Sequence, residues 1–153
     1  MAQYGERKVV LIPPRTVSAA GTTVISLSPV VVTGYTSVMF ALNVTAESGT
    51  TPTLDIYIQQ ELPVTASGDV AGGVPSGTSV WNDFGHFTQV TTSTGTWFGS
   101  VTGGSNANGP IKDAALAAAT FLSGPIGSLW RVKEVVAGTS PSYTYGLCAI
   151  LIP

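Results

Sequence analysis

Apolar and polar residues alternate with a period of two along four stretches of the chain. In "SVMFALNVTAE", Val38, Phe40, Leu42 and Val44 fall on one face, with Met39, Ala41, Asn43 and Thr45 on the other. In "TLDIYIQQ", Leu54, Ile56 and Ile58 oppose Asp55, Tyr57 and Gln59. Trp130, Val132, Glu134 and Val136 alternate with Leu129, Arg131, Lys133 and Val135, and Tyr143, Tyr145, Leu147, Ala149 and Leu151 share a face near the C-terminus. Successive side chains of an extended chain point to opposite sides, so each stretch predicts a strand with one face toward a core. Shorter strands are predicted around Val24, Ile25 and Leu27, around Trp97 to Val101, and from Phe87 to Thr91 after a turn at Asn82 to Gly85. The expected fold is all-β, a single-domain antiparallel β-sandwich or jelly-roll-like barrel with long loops and at most one short helix.

Between the paired stretches lie two near-identical segments, "GTTPT" at Gly49 to Thr53 and "GTSPS" at Gly138 to Ser142. Glycine tolerates positive φ, proline fixes one dihedral, and the hydroxyl residues bond to nearby backbone. Gly49, Pro52, Gly138 and Pro141 are therefore predicted turn residues, each segment closing a hairpin. The similarity does not extend into the flanking loops, which argues against a tandem repeat. The Gly- and Pro-rich stretch from Leu62 to Thr78 predicts a long surface loop. The helix candidate is "IKDAALAAATFL", residues 111–122, although a buried strand of small residues reads the same way.

Residues 1–15 read as an extended arm ahead of a β domain spanning 16–153. Pro13 and Pro14 resist helix and remove two backbone donors, while Val9, Val10 and Ile12 offer a β-branched edge to a neighbouring sheet. Arg7, Lys8, Val9, Val10, Ile12 and Arg15 are the predicted contacts to a capsid or a second subunit.

A chain of 153 residues fits one domain and can bury a core without metal or disulfide support. Charged residues make up 9% and hydrophobic ones 44%, a surface expected to meet other protein. The net charge of -2 leaves no positive excess to displace counterions, so nucleic acid is not an expected partner. Cys148 is the sole cysteine, which excludes an intrachain disulfide; its apolar setting, "GLCAILIP", predicts a small buried side chain. The apolar run after Arg7 and Lys8 ends at Pro13, too short for a secretory signal, and no stretch approaches the roughly 20 apolar residues of a spanning helix. No membrane association is expected.

Candidate chemistry is sparse. His86 is the only histidine, with Asp83 three positions before it, so a His-rich metal site is excluded and a Ser-His-Asp arrangement would have this one base. A turn in which Asp83 bonds to backbone explains the pair better. Asp55, Glu61 and Asp69 lie in or after one predicted hairpin, but "SGDVAGG" lacks the alternating oxygen ligands of a calcium loop. "GSVTGGSNANG" has neither the spacing nor the lysine of a phosphate-binding loop. The sequon at Asn43 to Thr45 falls inside a strand. Trp81, Trp97, Trp130, Tyr143 and Tyr145 would suit a sugar-binding face if exposed, but core packing is their expected use. The chain is expected not to be an enzyme and to need no cofactor.

The segments "ALNVTAESGTTPTLDIYIQQ", "WNDFGHFTQVT" and "GPIGSLWRVKEVVAGTSPSYTYGL" resemble small virion structural proteins of tailed bacteriophages, most closely head decoration, or cement, proteins. The resemblance runs with gaps from Val38 to the end. It implies a compact β domain that binds the major capsid protein on the capsid exterior, forms a homotrimer and assembles in the host cytoplasm. The Leu62 to Thr78 loop and the Gly103 to Leu122 insertion depart from the simplest members. Alternatives consistent with the residues are a tail or fibre component, or a β-sandwich that binds glycans.

Overall fold

A computed structural model of the chain describes residues 5–62, 80–104 and 115–153. Its strands are β1 (Arg7–Val17), β2 (Gly21–Ser26), β3 (Ser37–Leu62), β4 (Val80–His86), β5 (Gly95–Thr102), β6 (Thr120–Phe121) and β7 (Trp130–Ile152). All pairings among them are antiparallel. The fold class matches the all-β expectation, with no helix among the described residues.

β3 and β7 form the spine. They pair along almost their whole length, from Ser37↔Ile152 to Gln60↔Trp130. The other strands flank the two ends of this ribbon differently. Toward Ser37 the order is β1–β7–β3–β5, and toward Gln60 it is β2–β7–β3–β4–β6. The ribbon bends in its middle, so that these two halves face each other as the layers of a sandwich. Phe40 of the first half meets Trp130 and Phe84 of the second at ring-centroid separations of 5.5 and 5.7 Å. Val38, Phe40, Leu42 and Val44, then Leu54, Ile56 and Ile58, are all buried, as are Trp130, Val132, Val136 and the alternate residues from Tyr143 to Leu151. Each predicted apolar face is therefore a core face.

The bend explains the repeated segment. Pairing runs through Ser48↔Ser142, Thr50↔Thr139 and Thr53↔Ala137, with register shifts between them. Gly49 and Gly138 have φ of 123° and 113°, while Thr51 and Ser140 have 47° and 48°. A Cβ on Gly49 would lie 2.8 Å from the Ser140 carbonyl oxygen, and one on Gly138 would lie 2.7 Å from that of Thr51. Two antiparallel strands passing together through one corner see each other symmetrically, so the same residues are required on both. The predicted hairpin turns are thus corrected: each segment carries its own strand from one layer to the other and pairs with its copy, which is how bulged strands make the corners of sandwiches.

Three further expectations are corrected. The arm is not separate from the domain over residues 7–17, which form β1 and pair with β7 from Arg7↔Leu151 to Val17↔Tyr143; Leu11 and Ile12 enter the core because their apolar area is best buried there. Asn82 to Gly85 is strand, not turn, and Phe87 to Thr91 is irregular apart from a bridge at Leu54↔Val90. Tyr143 fixes that segment by donating its phenol hydrogen to the carbonyls of Val90 and Thr91, at 3.2 and 2.9 Å. The described part of the helix candidate, residues 115–122, is irregular chain, a turn and β6. Tertiary pairing overrides alanine's propensity there; residues 111–114, like residues 63–78 of the expected loop, lie outside the described residues.

Candidate functional site

The two outward faces of the sandwich differ in chemistry. On the second half, β2, β7, β3 and β4 align Val24, Lys133, Tyr57 and His86 in one row, and Ser26, Arg131, Gln59 and Asp83 in the next. Gln59, Asp83 and His86 are buried although they stand on this outer face. Their burial follows from long side chains lying across the sheet above them.

Arg131 lies along its row, donating from Nε to Gln59 Oε1 at 2.6 Å and placing its guanidinium 4.5 Å from the centre of the Trp81 ring. The Gln59 amide in turn donates to Asp83. Lys133 reaches over Tyr57, its ammonium 3.9 Å from the ring centre, to Asp83 Oδ2 at 3.5 Å. Tyr57 also stacks on His86, with 3.8 Å between centroids. Burial pushes the Tyr57 phenol above its ordinary pKa, with Asp55 and Asp83 adding to the rise. Burial pulls Arg131 below its ordinary value, opposed by Asp83.

The expected turn with Asp83 bonded to backbone is not what forms: Asp83 is held by the Gln59 and Lys133 side chains, and His86 pairs elsewhere. His86 Nε2 lies 3.1 Å from Asp55 Oδ1, and Nδ1 donates to the Leu116 carbonyl at 2.9 Å. Gln89 donates to the other Asp55 oxygen at 2.8 Å. Both ring nitrogens are engaged, and no hydroxyl nucleophile bonds to the imidazole among the described residues. The described residues likewise contain no cluster of three or more metal-ligating side chains. This arrangement holds groups in place and lacks the parts of a nucleophilic centre.

On the first half, the register aligns Val10, Cys148, Ala41 and Phe98 across β1, β7, β3 and β5. Val10 and Phe98 are 61% and 64% exposed, which leaves an apolar row open at both ends. Cys148 is half-buried rather than buried, on a groove of about 340 Å³ that also touches Lys8, Pro14 and Gly146. Of the predicted contact residues, Arg7, Lys8 and Val10 are exposed, Val9 and Arg15 are half-buried, and Ile12 is in the core. Gly49, Pro52, Gly138 and Pro141 meet at the corner. Trp130, Tyr143 and Tyr145 are core residues, whereas Trp81 and Trp97 are half-buried.

Sequence reasoning left Gln59 and Gln89 out, and local spacing could not have joined Asp55 to His86. The usable signal was parity: Asp55, Tyr57, Gln59, Arg131 and Lys133 all occupy the polar phase of their strands. Comparison with protein-family models and with curated proteins finds no match.

Proposed function

We propose that this chain is a structural protein of a bacteriophage virion that binds the major capsid protein on the capsid exterior as a homotrimer and stabilises the shell. The observation that carries the reading is the apolar row Val10–Cys148–Ala41–Phe98 on an outward sheet face, exposed at both ends through Val10 and Phe98. Such a face gains by burial against protein, at about 25 cal/mol per Å² of apolar surface removed from water. The low charge, the resemblance from Val38 onward and the lack of a nucleophilic centre among the described residues support the same reading. Arg7, Lys8 and Val10 are the predicted contact residues that remain open to a partner. Half-burial of Trp81 and Trp97 leaves little ring surface for a sugar, which disfavours the glycan-binding alternative.

Cryo-electron microscopy of particles carrying the protein tests the proposal. Density for the chain at local threefold positions of the head is the expected result. Density confined to the tail would overturn it in favour of a tail or fibre role.

A further inference from the structure

We infer that the Arg131–Trp81 pair is a preorganised binding site for a single carboxylate, supplied by an exposed Asp or Glu side chain of a partner protein. This holds whether or not the partner is a capsid. The guanidinium is fixed in two ways: it lies on the Trp81 ring at 4.5 Å, and its Nε is tied to Gln59 at 2.6 Å. Gln59 cannot turn its amide over, because its oxygen serves Arg131 and its nitrogen serves the buried Asp83. The edge formed by the two terminal nitrogens has no partner among the described residues. The ion pair found there is Lys133–Asp83, His86 lies against Asp55, and Glu61, opposite Trp81 in the neighbouring row, is in neither contact.

A planar fork of N–H donors held rigidly fits the two oxygens of a carboxylate, and the entropy of ordering a long side chain has already been spent within the fold. Charge selects the ligand class. Asp83 pairs with Lys133, which leaves the Arg131 guanidinium as the cation of this row with no ion-pair partner among the described residues. A monoanion matches it. A phosphate dianion would meet the fields of Asp83 and Asp55 behind the same edge, and a polyanionic nucleic acid would find too few cations.

The test uses the full-length protein labelled with nitrogen-15, titrated with the blocked peptide Ac-Gly-Glu-Gly-NH2 and followed through the Arg131 Nε–H and Trp81 indole N–H signals. Saturable shifts of both are expected with this peptide. They should be absent with the Gln counterpart and weaker with a phosphoserine counterpart. Arg131→Gln should weaken binding by about tenfold or more, and Arg131→Lys, which keeps the charge without the fork, by nearly as much. Thermal melting of both variants checks that the fold persists, and Trp81→Leu provides a second route by freeing the guanidinium while leaving Arg131 in place. Equal shifts with the Gln peptide, tighter binding of the phosphopeptide, or full affinity in Arg131→Lys and Trp81→Leu would each overturn the inference.

Discussion

At the scale of single residues, the corner makes the sharpest demands. Gly49 and Gly138 combine a φ that disfavours a side chain with backbone oxygens below 3 Å from any added Cβ. Gly104 has a similar φ, 124°, but open space around it. Replacing Gly49 or Gly138 by Val should therefore cost more than Gly104→Val, with about 1–2 kcal/mol arising from backbone strain alone; thermal melting of the three variants measures the difference. A second residue-scale prediction concerns Tyr143, whose phenol is pushed up to about 12, first by burial and then by Glu47 and Asp55. Below pH 10 both the folded and unfolded states hold the proton, and its full contribution is present. Between about 10 and 12 the unfolded state releases it and the folded state does not, so stability should fall by up to about 1.4 kcal/mol per pH unit from this group. Alkaline melts should show that decline, and Tyr143→Phe should make it shallower while losing two hydrogen bonds to the 90–91 backbone.

At the scale of elements, β1 shows what a strand pattern can and cannot disclose. Its β-branched run and two prolines predicted extended backbone correctly, but an edge strand paired within its own chain and an arm pairing elsewhere carry the same residues. What decides is long-range pairing with β7, which no local signal names. The same limit applies at the corner: the "GTTPT" and "GTSPS" segments announced a reversal, yet a hairpin and a sheet-to-sheet bend use the same glycine and proline chemistry. By contrast, Leu54, Ile56, Ile58 and the alternate residues from Tyr143 to Leu151 were legible because burial on one face writes itself directly into the period. The candidate site was the least legible, since β3, β4 and β7 bring Gln59, Asp83 and Arg131 together across large sequence separations. These differences make β1 testable. Ile12→Ala should cost about 2–4 kcal/mol, as for a core deletion. Val10→Ala, on the outward face, should stay within about 0.5 kcal/mol. Denaturant titration of both separates an integral strand from a loose arm, for which both substitutions would be silent.

At the scale of the whole molecule, the sandwich presents edges of unequal protection. β1 carries Arg7, Lys8, Pro13, Pro14 and Arg15, the charges and prolines that commonly keep an edge from pairing with another chain. β5 has the sequence "GTWFGSVT", without a charge or a proline, and Phe98 stands exposed on it at the end of the apolar row. A second copy meeting this region encounters no like charge, whereas two copies of β1 aligned antiparallel about Leu11 would set Arg7 against Arg15. The β5 end of the row is therefore where self-association should be centred. Multi-angle light scattering of the intact chain should give the mass of a trimer. Phe98→Lys should shift it toward the monomer, because three ammonium groups would then be brought into an apolar contact, while Thr22→Lys, exposed on the opposite layer, should leave the trimer intact. A chain that is monomeric at every concentration and fails to trimerise on particles would remove the homotrimer, and a trimer unaffected by Phe98→Lys would move its interface away from β5.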